Sequence, residues 1–266
     1  MKRYYSHSKL GTFEQCPFKY KLCYIDKVPR PDRESIEAFM GNKVHAALKA
    51  LYDGMKGGIT ASLEGLLDHY GKIWERDFSE KVFVVKAERT PDDYKDMGAE
   101  FIGNYYGKHF PFDEDETLET EHRLSFPLDA QCEVVYSGIV DRISKSRGSI
   151  TVHDYKTSSR LPSKAELEGD RQLAMYQIAA GRMFSGVEIE LAWHFLAFNE
   201  VIRVKKDQSA LAAAKESALG LIKRIEAASE FEKSEGPLCA WCDYAGFCPL
   251  AGRKKEGGAY VQQEFF

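Results

Sequence analysis

The sequence predicts an α/β fold with a mixed central sheet flanked by helices, and three observations carry that expectation. Residues 35–55 place Ile36, Met40, Val44, Leu48, Leu51 and Met55 three or four apart, the spacing of a helix that buries one face. Residues 118–128, 132–144 and 150–156 read as three strands in a meander, the last two joined by a polar, Gly-containing turn from Ser144 to Ser149. Beyond them a helical region over 163–184, strand-like runs over 187–197 and 201–204, and an Ala/Leu-rich helix over 209–231 complete the order. Helices, then β-β-β-α-β, then a helix is the pattern of an α/β core with an added helical part.

Taken in order, Ser8 can cap a short helix over 9–16 that places Leu10 and Phe13 on one face. Pro17 opens a second piece, and Pro29 and Pro31 break it. Gly54, Gly57 and Gly58 end the 35–55 helix; another follows over 62–78. Thr90-Pro91 starts a third, with Thr as cap and Pro at the first helical position, running to about 109. The chain is read as one domain in four parts: an N-terminal segment 1–33, a helical part 34–116, a core 117–206, and a C-terminal helix with a cysteine-rich piece, 207–266.

A chain of 266 residues with 44% hydrophobic content can bury a full core. Net charge is −4, which does not advertise nucleic-acid binding, but residues 1–33 hold eight basic side chains against three acidic ones. A basic first segment can follow a phosphate backbone; residues 113–121 form an acidic patch. No apolar run reaches the roughly 20 residues needed to span a bilayer, and the start has no apolar stretch of a secretory signal, so a cytoplasmic location and no membrane are expected. In a reducing compartment the six cysteines suit buried thiols or ligands better than disulfides.

The chemistry concentrates in residues 137–158. One strand delivers Asp141; the next delivers Asp154 and Lys156, whose period-2 spacing projects both from one face. Hydrolysing a phosphodiester calls for a water nucleophile and stabilisation of phosphoryl charge, which carboxylates with a hard cation and an amine can supply. The Tyr155 carbonyl offers a further ligand. His45 lies on the 35–55 helix one turn after Gly41, and Gln172 and Tyr176 share a helix face four residues apart.

Together, Gly41-x-x-x-His45, Gly138-x-x-Asp141, Asp154-Tyr-Lys156-Thr and Gln172-x-x-x-Tyr176 resemble the PD-(D/E)XK nuclease superfamily. The order and spacing are most similar to its RecB-like branch, which includes RecB and AddB nuclease domains and CRISPR-associated nucleases. The resemblance spans residues 41–176 and implies a restriction-endonuclease-like core. It implies Mg²⁺ or Mn²⁺ held by His45, Asp141, Asp154 and the Tyr155 carbonyl, with Lys156 activating water and Gln172 and Tyr176 positioning DNA or the lysine. Glu121 on the preceding strand is an auxiliary acid in this reading.

Cys239, Cys242 and Cys248 lie within ten residues, and Cys16 is the obvious fourth; both Cys16 and Cys248 precede proline. Four thiolates suit zinc or a 4Fe–4S cluster. The one-plus-three arrangement resembles the iron–sulfur staple of AddB-type and CRISPR-associated RecB-like nucleases, with Zn²⁺ as the alternative. Such a staple would set the basic first segment beside Trp241, Tyr244 and Phe247, and basic groups with aromatic planes can track a single strand. Cys23 and Cys132 show no partner pattern.

No Walker A loop occurs, so a helicase motor is not expected in this chain, and any motor or integrase would be a separate partner protein. The expected activity is metal-dependent DNA hydrolysis, as an exonuclease or end-trimming enzyme on single-stranded DNA. Two other readings stand beside it: a non-catalytic iron–sulfur DNA-binding or adaptor subunit, and a nuclease partner in a CRISPR spacer-acquisition complex.

Overall fold

In the computed structural model, which describes residues 2–30 and 32–249, the chain opens with a strand that its pattern does not advertise, β1 (Arg3–Tyr5). Helix α1 (His7–Gln15) follows; its cap is Ser6 rather than Ser8, because the Ser6 Oγ accepts the Lys9 N–H at 3.1 Å. Cys16 ends α1 in extended conformation and caps α2 (Pro17–Tyr20), which runs into a π-helical turn over Lys21–Ile25. Pro31 and residues 250–266, including the end of the cysteine-rich region, lie outside the described residues.

A two-residue strand, β2 (Glu34–Ser35), leads into α3 (Ile36–Lys56), capped by Ser35. Helix α4 (Leu63–Asp77), the short β3 (Val82–Phe83) paired with β2, and α5 (Pro91–His109) complete the helical part. Thr90 and Asp93 close a reciprocal capping box with Pro91 in the first turn, as the sequence indicates.

The meander forms as β4 (Glu116–Pro127), β5 (Val134–Ser146) and β6 (Ser149–Lys156). The helical region over 163–184 is two helices, α6 (Lys164–Gly169) and α7 (Arg171–Met183). Asp170 stands between them in extended conformation and caps α7 by accepting the Leu173 N–H at 2.7 Å, a side-chain bond that competes with continuing the first helix. Strands β7 (Glu188–Phe195) and β8 (Glu200–Val204) and helix α8 (Gln208–Ala227) follow.

The sheet runs β1-β5-β6-β7-β8, with β4 also on β5; β4–β5, β5–β6 and β7–β8 are antiparallel, and β1–β5 and β6–β7 are parallel. Strand β5 is shared three ways. Strand β4 follows one of its edges from Val135 to Lys145. The other edge is divided: β1 takes Val134 to Tyr136 and β6 takes Arg142 to Ser146. Residues 137–141 therefore border a fork between β1 and β6, and Asp141 sits in it.

Two cores flank the sheet. One packs Leu10 of α1, Leu173 and Met175 of α7, and Leu221 and Ile222 of α8 against Ile143, Val152 and Leu191. The other joins Phe39, Leu48 and Leu51 of α3 to Tyr70, Ile102 and Tyr105 and reaches the sheet at Tyr155. Alternation along β6 sends Val152 to the first core and Tyr155 to the second. No helix among the described residues is long and apolar enough to cross a membrane.

Beneath the second core lies a buried polar network. Arg142 is 4% exposed and forks onto Asp115 at 2.6 and 3.2 Å, donates to Thr117 at 3.1 Å, and lies over the Tyr52 ring at 4.0 Å. Ser144 donates to Asp115, and His153 Nδ1 lies 2.9 Å from His194 Nε2. Burial, with Arg142 beside it, pushes His153 down to about 3; burial, with His153, lowers His194 well below the ordinary imidazole value. Burial also lowers His7 and His109.

The unfolded chain takes up protons on these imidazoles below about pH 6.5, whereas the folded chain refuses them, so acidification favours unfolding. His45, raised by Asp141 against its own burial, opposes with one group. The urea midpoint is expected to fall between pH 7.5 and pH 5; a flat or rising midpoint contradicts burial of neutral imidazoles.

Candidate active site

The fork places the carboxylates. Beyond the Arg142–His153 pair β5 and β6 part, and the Asp141 side chain fills the gap: its Oδ2 accepts the Tyr155 N–H at 2.6 Å. Its Oδ1 lies 3.1 Å from His45 Nδ1, which reaches in from α3. Burial raises the Asp141 carboxyl, but His45, the Tyr155 amide and Lys156 outweigh it and hold it below its usual range.

Asp154 and Lys156 project together, as their spacing requires, with Lys156 Nζ 2.7 Å from Asp154 Oδ2. This short, charge-assisted contact engages the buried Oδ2. Burial pulls the Lys156 ammonium down, and the Asp154 and Asp141 carboxylates more than reverse this, holding it protonated. The amine is thus a donor and a fixed positive charge. It donates to Gln172 Oε1 at 3.3 Å; Gln172 Nε2 donates to Tyr176 Oη at 2.8 Å, and Tyr176 donates to the Ile139 carbonyl at 2.7 Å. This chain ties α7 to the unpaired edge of β5 and fixes the lysine.

Both motif glycines are explained by close approach. A Cβ on Gly138 would stand 3.0 Å from Tyr176 Cε1, and one on Gly41 3.0 Å from Thr157 Oγ1. The first brings α7 onto β5; the second lets α3 lie against the end of β6 and carry His45 inward.

Glu121 belongs to the site more closely than its auxiliary standing in the sequence suggests. Its backbone is left-handed, φ 47°, within β4, a conformation that costs a non-glycine residue roughly 1 kcal/mol or more. Paired residues are Thr120 with Arg142 and His122 with Val140, so Glu121 falls opposite Asp141. A carboxylate oxygen of Glu121, one of Asp141 and a His45 ring nitrogen all lie within 4.8 Å of one another. Among the described residues no other set of three His, Cys, Asp or Glu ligand atoms does so. Two carboxylates with one imidazole, and the buried Asp154 carboxylate beside them, fit a hard divalent cation.

The phenol of Tyr155 points away, into the core: Tyr105 Oη is 3.3 Å from it and 2.6 Å from Tyr52 Oη. The residues that sequence reasoning missed are these tyrosines and the Arg142–Asp115–His153–His194 network behind them. On the strands, the alternation of Arg142, His153 and His194 with apolar neighbours is that of a solvent face, and Tyr52 of α3 and Tyr105 of α5 cover it.

The four cysteines converge. Cys16, Cys239, Cys242 and Cys248 are free thiols lining one cavity of about 210 Å³ with Phe18, Leu22 and Pro237. The two chain segments are also joined directly: Phe18 N–H donates to the Glu232 carbonyl at 2.9 Å, Arg30 pairs with Asp243 at 2.9 Å, and Tyr244 Oη donates to the Val28 carbonyl at 3.2 Å. Tyr244 is buried and cannot stack on a base, which corrects its expected place in a strand-tracking surface; Phe247 is exposed. Cys23 accepts from Tyr244 Oη at 3.4 Å, so it packs beside the cavity without lining it, and Cys132 is exposed on the β4–β5 turn.

A family model described as the PD-(D/E)XK nuclease superfamily matches residues 4–249. The chain is 23% identical over 270 aligned positions to the Gene 69 protein of Mycobacterium phage D29, covering 92% of this chain and 96% of that one. It is also similar to the crystal structure of SSO0001 over 59% of this chain and 77% of that one, at 15% identity and a TM-score of 0.35.

A Gly138→Val substitution should displace the Tyr176 ring and cost about 1–3 kcal/mol by overpacking, read from urea denaturation. An unchanged stability would show that α7 does not rest on this glycine.

Proposed function

The chain belongs to the PD-(D/E)XK nuclease superfamily, and we propose that it is a Mg²⁺- or Mn²⁺-dependent deoxyribonuclease of the RecB-like branch that trims single-stranded DNA or DNA ends. The observation that carries this reading is the convergence at the β5–β6 fork of His45, Asp141, Asp154 and Lys156, drawn from three elements. His45, Asp141, Asp154 and the Tyr155 carbonyl would hold the cation. When bound, it supplies charge neutralisation at the phosphoryl oxygens and lowers the pKa of water. Lys156, held as an ammonium by Asp154 and steadied by Gln172, orients the attacking water and offsets the charge that develops on the phosphate. A non-catalytic adaptor has no physical need for three converging polar groups, Asp141, Asp154 and Lys156.

Single-strand preference is supported by the basic first segment and the exposed Phe247 beside the cysteine cavity. The missing Walker A loop means that processive unwinding would need a separate helicase, and spacer acquisition a separate integrase. A 4Fe–4S cluster at Cys16, Cys239, Cys242 and Cys248 completes the proposal. The one-plus-three spacing, with proline after Cys16 and Cys248, supports iron–sulfur, and tetrahedral zinc is the alternative. Its role is structural: it joins segments far apart in the chain, where a cross-link removes most unfolded-state entropy.

End-labelled single- and double-stranded DNA should be cleaved with Mg²⁺ or Mn²⁺. Asp154→Ala and Lys156→Ala should each lose on the order of a hundredfold or more; equal cleavage by wild type and variants would remove the assignment. Purified without oxygen, the protein should be coloured and contain about four iron atoms per chain, and Cys242→Ala should lose the colour and melt lower. A colourless zinc protein, or a Cys242→Ala variant with unchanged melting temperature and full activity, rejects the cluster.

A further inference from the structure

Resting on the cation site proposed above, we infer that Glu121 is a further side-chain ligand of that cation, so that the ion is gripped from β4 as well as from α3, β5 and β6. Three observations converge on it. First, its carboxylate oxygen lies within 4.8 Å of ligand atoms of both His45 and Asp141, whereas Asp154 turns an oxygen toward Lys156. Second, Glu121 forms no hydrogen bond or ion pair among the described residues, although its strand neighbours do: Thr120 donates to Asp53, and Glu119 lies 3.7 Å from Lys56. Third, the backbone is left-handed at this one residue of β4, which aims the side chain beside Asp141. The two carboxylates share His45 as their neighbour, and a divalent cation among the three would remove the repulsion between them. A merely solvated glutamate would not need a conformation that glycine adopts freely.

The consequence is a site with three carboxylates, which raises divalent affinity through ligand charge. It leaves one arm on an exposed residue that can release the ion without disturbing the buried set.

The test is direct Mn²⁺ binding, by calorimetry and by the loss of the free-ion paramagnetic resonance signal, on the full chain. Wild type should bind, Asp141→Asn should lose binding, and Glu121→Gln should bind roughly tenfold or more weakly. Glu119→Gln, on the same strand, should bind as wild type. Glu121→Gly separates ligation from folding: it should raise the metal-free melting temperature by relieving the left-handed backbone while weakening Mn²⁺ binding. If Glu121→Gln binds as tightly as wild type while Asp141→Asn does not bind, Glu121 is no ligand and the nuclease reading stands. If Glu121→Gly lowers the metal-free melting temperature, the residue is structural and the inference fails. If wild type itself binds no Mn²⁺, the cation-dependent reading falls and this inference with it.

Discussion

The hydrogen bond from the Tyr155 amide to Asp141 is the constraint on which the site depends. Ordinary ladder pairing between β5 and β6 stops after Arg142 and His153, and a side-chain oxygen takes over the next main-chain donor. A carboxylate standing in for a strand is held far more rigidly than one on a loop, and its second oxygen remains free to face His45. Because β6 is anchored on its far side by β7 through Lys156, the parting of the strands opens a cleft while β6 stays fixed. Asp154 and Lys156 enter that cleft by alternation alone.

Behind the cleft, each face of the sheet contributes a different kind of support. On the α7 side it is a hydrogen-bonded chain, Lys156 to Gln172 to Tyr176 to the Ile139 carbonyl, which satisfies part of the unpaired edge of β5. On the α3 side it is the tyrosine trio and the Arg142 network, directly under Asp141 and Tyr155. Buried polar groups of this kind are expensive unless nearly every member is satisfied. Arg142 serves Asp115, Thr117 and the Tyr52 face together, while its Nε and His194 Nδ1 have no hydrogen-bond partner among the described residues.

Much of this was legible in the sequence, residue by residue. Period 2 put Asp154 and Lys156 on one face, the helical period put Gln172 beside Tyr176 and Gly41 one turn before His45, and the strand–turn–strand pattern brought Asp141 next to them. What escaped was whatever depends on non-local partners or on a broken period. Three residues, Arg3–Tyr5, carry too little alternation to announce a strand, and β1 exists because β5 offers it a free edge. Asp170 looked like helix interior, yet its side chain caps α7 and divides the region in two. The direction of the Glu121 side chain was not legible, because a left-handed residue breaks the alternation from which it would be read. The Arg142–His153–His194 set carried the polar alternation of a wet face, which the three-layer packing makes dry.

The way the ends of the described chain are held has a kinetic corollary. Strand β1 pairs with residues more than a hundred positions away, and Phe18 and Val28 bond to residues 232 and 244. Contacts of such separation form slowly, because loop-closure entropy must be met before they return any stabilisation. The hairpins of β4, β5 and β6 and the α3–α5 packing are local by comparison. The first thirty residues are therefore expected to dock late, onto a sheet already formed. The thiol of Cys16 would then meet the other three only near the end of folding, which makes assembly of the cysteine site a report on whether the whole chain has folded.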